Sequence, residues 1–232
     1  MVSIIIPAYN EESRIAKTLQ EYENYNKTHN VSWQFIVVLN GCTDRTENVV
    51  KQHARLYSTI SYIKIKEKGK GRAIKAGFLE ALTLKNNAIG FIDADGAILP
   101  EDFRTLCNKI SDYDVVIGSR YMPESNVKRP LYKMLGRKIV YHPLLYFLFG
   151  FSFYDMQCGA KIFKREVVEH IVKNLTATNW SIDPELLYLA KKNHYFILEV
   201  PISWQDKAES KFTVCGGINM MFDLFRLYYI HK

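Results

Sequence analysis

Between residues 2 and 119, strand-length apolar runs alternate with segments of helical spacing. The runs are VSIIIP (2–7), WQFIVVL (33–39), ISYIKI (60–65), AIGFID (88–93) and DVVIGS (114–119). Between them, residues 11–25, 44–57, 71–85 and a stretch from about Glu101 carry apolar side chains three and four residues apart, with Asp44 set to cap the second. A strand apolar on both sides has to be covered on both faces, and successive parallel strands need a helix-length crossover. The expected fold is α/β, a mostly parallel sheet with helices on both faces.

The pattern changes after residue 120. A basic segment leads into HPLLYFLFGFSFYDMQCGAKIF (142–163), and KREVVEHIVKNL and DPELLYLAKKN read as helices. YFILEVPISW (195–204) reads as a further strand, and GGINMMFDLFRLYYIHK as an amphipathic C-terminal helix. The 232 residues suffice for one large unit, and no Pro/Gly/Ser linker or repeat divides them. Lys and Arg number 31 against 24 Asp and Glu, a net +7 that favours an anionic partner. No RNA- or DNA-binding module is recognisable, so a nucleic acid is not expected. The four cysteines form no C-x-x-C pair, which argues against zinc and redox motifs and suits a reducing compartment. The first residues lack the charged-then-apolar lead of a signal peptide, and no apolar run reaches the ~18–20 residues of a spanning helix. A cytoplasmic location is expected.

Ligands of open α/β sheets lie beyond the carboxyl ends of the strands. Three polar segments fall there: PAYNEE after the first run, NGCTDRT after the second and DADG after the fourth. In an extended chain Asp93 and Asp95 share a face, roughly 7 Å apart, and two carboxylates that close need a cation or water. Two readings stand side by side: a solvated turn that caps the next helix, and a cation site. The first turn lacks G-x-G-x-x-G, GKGRAIKAG (69–77) follows the third run, and G-x-x-x-x-G-K-[ST] is absent. A nicotinamide dehydrogenase and a P-loop NTPase are both disfavoured.

Eight ordered blocks carry a family resemblance: IIPAYNEE, VVLNGCTDRT, KGKGRAIKAGF, DADGAILPED, VVIGSRY, DMQCGAKIFKRE, WSIDPELLYLA and EVPISWQDKAESKF. Together they resemble family-2 glycosyltransferases of the nucleotide-diphospho-sugar type. The later blocks are most similar to dolichyl-phosphate β-glucosyltransferases and dolichyl-phosphate mannose synthases. The resemblance implies a Rossmann-like GT-A domain over residues 1–215, with a nucleotide-binding half to about 120, an acceptor-binding half over 121–215, and a helix over 216–232. It implies inverting transfer of a hexose from UDP-glucose or GDP-mannose to a polyprenyl phosphate at the cytosolic face of a membrane.

In that reading Asp93 and Asp95 hold Mg²⁺ or Mn²⁺, with Asp95 the first ligand. Pro7, Tyr9, Glu11, Asn40, Lys70, Asp93 and Ala94 line the nucleotide sugar, with Pro7 and Tyr9 on the base and Glu11 on a ribose hydroxyl. Arg120, Lys161 and Lys211 clamp the donor diphosphate and the acceptor phosphate. Asp95, Arg120 and Asp183 form the catalytic set. Asp183 and its neighbour Glu185 are general-base candidates, while Asp183 also suits a cap for a helix starting at Pro184. Two departures bear on the donor: Leu39 and Asn40 stand where many members carry acidic residues, and Ala97 where mannose synthases often carry Gln. The second favours UDP-glucose.

Transfer to a sugar hydroxyl is the alternative within enzymes, and a noncatalytic nucleotide-sugar-binding module is the alternative outside them. For the membrane, residues 126–154 hold five Lys/Arg and no acidic residue, and the basic part runs into an aromatic stretch too short to span a bilayer.

Overall fold

The computed structural model describes residues 1–128, 142–205 and 214–232. In chain order the strands are β1 (Val2–Ala8), β2 (Trp33–Asn40), β3 (Ile60–Ile65), β4 (Ala88–Ile92), β5 (Val115–Ser119), β6 (Asn126–Lys128), β7 (Ala160–Lys164), β8 (Ile197–Pro201) and β9 (Ser203–Gln205). The helices are α1 (Ile15–Thr28), α2 (Thr46–Leu56), α3 (Lys70–Ala81), α4 (Pro100–Lys109), α5 (His142–Phe149), α6 (Arg165–Ile171), α7 (Ile182–Lys192) and α8 (Val214–His231). Seven strands form one sheet in the order β3-β2-β1-β4-β7-β5-β8. β7 runs antiparallel to both β4 and β5, and the other pairings are parallel.

The continuous apolar strands divide their side chains between two cores. Ile4 and Ile6 of β1 pack with Leu19 and Tyr22 of α1 and Phe103 and Leu106 of α4. Ile5 between them belongs to the other core, with Ile74 and Phe78 of α3, Leu186 of α7 and Leu224 of α8. This is the period-2 alternation of a strand covered on both sides, and each isoleucine so buried contributes about 1.5–3 kcal/mol.

Several sequence expectations are corrected in detail. β5 does not lie beside β4, because β7, which begins at Ala160, well after β5 in the chain, is inserted antiparallel between them. The run 195–204 breaks at Ile202: β8 stays in the main sheet, and β9 pairs with β6 in a separate two-stranded ribbon. Asp44 sits one residue before the N-cap Arg45 and takes the Thr46 N–H at 3.0 Å, so it performs the expected capping. The division expected between 215 and 216 falls inside α8, which buries Leu224 and Leu227 in the core shared with Ile5. Basic residues 129–141 lie outside the described residues.

The parallel strands β1, β2, β3 and β4 all end on one edge, so the loops that follow them are brought together there.

Candidate active site

β4 stops at Ile92, and the two aspartates of DADG lie on the turn that follows rather than within the strand. Helix α1 fixes that turn: Thr18 Oγ1 donates to Ala94 O at 2.9 Å and Tyr22 OH to Ile98 O at 3.2 Å. Asp95 Oδ1 accepts the Ala97 N–H at 3.0 Å. Asp93 leans toward the turn before β7, where a Cβ on Gly159 would lie 1.9 Å from its Oδ2. The glycine of Q-C-G is therefore the space that the carboxylate fills.

From Asp93 a ladder of alternating charges runs into the protein. Lys70 Nζ, at the start of α3, lies 2.9 Å from Asp93 Oδ1 and 3.3 Å from Asp183 Oδ2. Asp183 Oδ1 is 2.6 Å from Lys161 Nζ, which also donates to Cys158 O at 2.6 Å. Asp93 is 25% exposed, whereas Asp183 and Lys161 are closed to solvent. Burial, the largest single influence, would raise the Asp93 pKa, but the Lys70 ammonium, with Arg120 and Lys161 behind it, outweighs it and holds the carboxyl below its ordinary value. Lys70 is held above the usual lysine range because Asp183 and Asp93 outweigh its burial. Asp95 goes the other way: burial, then the neighbouring Asp93 charge, push it up.

The ladder revises two expectations. Lys161 has no exposed surface, so as placed it cannot touch a phosphate, and its charge is spent on Asp183. Asp183 is not the N-cap, because α7 begins at Ile182 with Ser181 in the capping position, which places Asp183 inside the first turn. Both Asp183 oxygens are instead committed to lysines.

Arg120 follows β5. Its Nε and Nη2 bond to the two oxygens of buried Asp155 at 2.6 and 3.0 Å, and its guanidinium stacks 4.8 Å from the Trp204 ring. Glu199 of β8 in turn accepts the Tyr154 and Asp155 N–H groups at 2.8 and 2.5 Å. Asp155, Glu199 and Trp204 were not singled out from the sequence. The available signal was Asp155 opening the D-x-Q-C-G block, an acid entering an apolar strand.

The first two loops meet through side chains. Asn10 Oδ1 accepts the Thr43 N–H at 2.8 Å, and Glu11 N donates to Thr46 Oγ1 at 2.7 Å. The Glu11 carboxylate, expected on a ribose, is paired with Arg14 at 2.6 Å. Tyr9 lies under Lys68 Nζ, 4.8 Å from its ring centroid. Pro7 is in β1, opposite Val38 of β2. The buried Asn40 amide, with its nitrogen toward Ala8 O (2.5 Å) and its oxygen toward Gly69 N (3.3 Å), ties the ends of β1 and β2 to the start of α3. Asn40 is thus a tie between loops. Lys211 lies outside the described residues.

With that geometry in view, the glycosyl transferase family 2 model matches residues 3–172. The chain belongs to glycosyl transferase family 2. It is 34% identical to the dolichyl-phosphate beta-glucosyltransferase ALG5A of Trichomonas vaginalis, over all of this chain and 74% of that protein. It is 32% identical to the dolichyl-phosphate beta-glucosyltransferase of Saccharomyces cerevisiae (96% of this chain, 72% of that one). The human dolichyl-phosphate beta-glucosyltransferase is 28% identical (90% and 69%). Among solved structures, glucosyl-3-phosphoglycerate synthase from Mycobacterium tuberculosis, in complex with Mn²⁺, UDP and glucosyl-3-phosphoglycerate, is similar with a TM-score of 0.73 at 16% identity. That match covers 98% of this chain and 78% of the other, and it shows a shared fold.

The residues of this glycosyltransferase fit the divalent ion that its fold family implies. Asp95 is pushed up by burial and by Asp93, and a cation relieves both effects. Asp95, with Asp93 beside it, would supply one or two carboxylate oxygens, and among the described residues no three acidic, imidazole or thiol side chains converge. That donor set suits Mg²⁺ or Mn²⁺, which keep the remaining positions for phosphate oxygens and water.

Proposed function

We propose that this glycosyltransferase moves glucose from UDP-glucose to a polyprenyl phosphate of the dolichyl type at a membrane surface. The observation that carries the acceptor class is the commitment of both Asp183 oxygens to Lys161 and Lys70. A sugar hydroxyl needs a base to take its proton, a contribution of roughly 10²–10⁴ in rate. A phosphate monoester, with a second pKa of about 6, arrives already ionised and needs only positioning and charge compensation. The names of the relatives in Trichomonas vaginalis and Saccharomyces cerevisiae support glucose and dolichyl phosphate.

In this reading Asp95 and Asp93 would hold the metal, whose chemistry when bound would be to neutralise charge on the donor diphosphate. Lys70, bonded to Asp93, adds a positive charge on the donor side. Arg120 uses Nε and Nη2 on Asp155, which leaves Nη1 for a phosphate oxygen. An acceptor phosphate oxygen attacks the anomeric carbon in line. The bond to the diphosphate breaks, and its electron pair leaves on the nucleotide. Inversion turns an α-linked donor into a β-linked product. On a folded Asp183→Asn protein, kcat is expected to fall by about tenfold at most; a loss of 10³ or more would favour a hydroxyl acceptor.

The membrane reading rests on α5 and α8. Their inner faces bury Leu145, Phe149, Leu224 and Leu227, yet Phe147 is 90% and Tyr229 76% exposed. Aromatic side chains outside a packed pair of helices suit the interfacial region of a bilayer, and the five cations of 126–138 precede α5 in sequence. At about 1 kcal/mol each before screening, they attract anionic lipid. No helix among the described residues is long and apolar enough to cross a membrane. The protein is expected to sediment with anionic vesicles at low salt, less so at high salt, and weakly as Lys133→Glu/Arg137→Glu. Wild type remaining in the supernatant at low salt would remove the membrane from the account.

A further inference from the structure

Glu185 lies in the first turn of α7, two residues past Asp183, and its carboxylate is closed to solvent. Three donors from one loop converge on it: Thr176 N at 2.8 Å and Thr176 Oγ1 at 2.7 Å on Oε1, and Ala177 N at 2.9 Å on Oε2. His231 Nε2, from the last turn of α8, lies 2.8 Å from Oε1. The same loop leans on the start of α3. Arg72 N donates to Thr178 O at 3.2 Å, and Lys75 Nζ to Leu175 O at 2.6 Å. A Cβ on Gly69 would lie 2.2 Å from Thr178 O, and one on Gly71 2.3 Å from Ala177 O. Lys70 stands between those two glycines, and its Nζ is 5.4 Å from the ring centroid of Trp180 just beyond the loop. Backbones this close move together.

We infer that Glu185 is a positioning residue for the transfer. It ties the end of α8 and loop 175–178 to the first turn of α3, and so sets where Lys70 stands against Asp93. The inference deepens the proposed function, because Lys70 matters there as the cation on the donor side. The mechanical coupling does not depend on which sugar is moved.

The test uses the full chain as Glu185→Gln, which keeps the size but turns an amide NH₂ toward N–H donors. Amide hydrogen exchange of residues 69–73 and 176–178 is expected to speed up about tenfold, the effect of losing roughly one buried hydrogen bond, while β1 and β2 stay protected. The KM for the donor rises by a similar factor, and the KM for the acceptor stays put. Thr176→Val, which removes one of the three donations, shifts both readouts the same way by less. If Glu185→Gln does not fold, Thr176→Val and Gly71→Ala, which presses on the same contact from the other side, decide the matter. Wild-type exchange at 69–73 in a folded variant, or an increase spread evenly over the chain, overturns the inference. A wild type without turnover counts against the proposed donor and acceptor, and the exchange result still decides the coupling.

Discussion

Asp95→Ala is expected to lower turnover by a factor of about 10³ or more, the scale on which a preorganised charge at a leaving group acts. Asp95 makes one bond to its own turn, to Ala97 N, while its environment disfavours a bare carboxylate. Losing that bond costs about 1 kcal/mol, and removing a half-buried, poorly compensated charge offsets part of it. The variant should therefore melt close to wild type. UDP with Mn²⁺ should raise the melting temperature of the wild type and leave that of the variant unchanged, since only a ligand that binds the folded state shifts it. A folded Asp95→Ala protein with unaltered rate and metal response would remove the carboxylate from the reaction.

Lys161→Met is expected to produce the largest loss of stability. Lys161 is the second residue of β7 and has no exposed surface, and its ammonium answers Asp183 and the Cys158 carbonyl. Breaking a buried pair by removing one partner costs about 3–5 kcal/mol, and among the described residues Asp183 then keeps Lys70 as its cation. For a chain of this size the loss lowers the melting temperature by roughly 10 °C. Adding Asp183→Leu should recover part of it, because the double variant no longer buries a carboxylate short of its partner. Thermal melting of the two variants checks this, and a single variant within 2–3 °C of wild type would mean that the pair contributes little.

The alternation of apolar runs was enough to read β1 to β4, their helices and the edge on which the loops meet, because burial on both faces leaves a local mark in the sequence. The position of β7 was not readable that way. Nothing local tells an apolar strand that it will run antiparallel between β4 and β5. Asp93 and Asp95 were legible through their spacing, but the partner of Asp93 is Lys70, and that of Lys70 is Asp183, more than a hundred residues away. Asp183 read equally well as a base and as a helix cap because an acid next to Pro184 suits both. Only the buried Lys161 separates those roles from a third, an anion within a charge ladder. The alternation in AKIFK did hold a hint: Lys161 shares a face with Phe163, so a lysine had to find a counter-ion inside.

The measurement closest to the central claim is product analysis with UDP-glucose, Mn²⁺ or Mg²⁺, and polyprenyl phosphate presented in lipid vesicles, with GDP-mannose and a polyprenol lacking the phosphate as parallel arms. The account predicts a β-linked glucosyl polyprenyl phosphate that forms only with the metal and only on the phosphorylated lipid. Transfer to the polyprenol or to a sugar hydroxyl, with none to the phosphate, would contradict it.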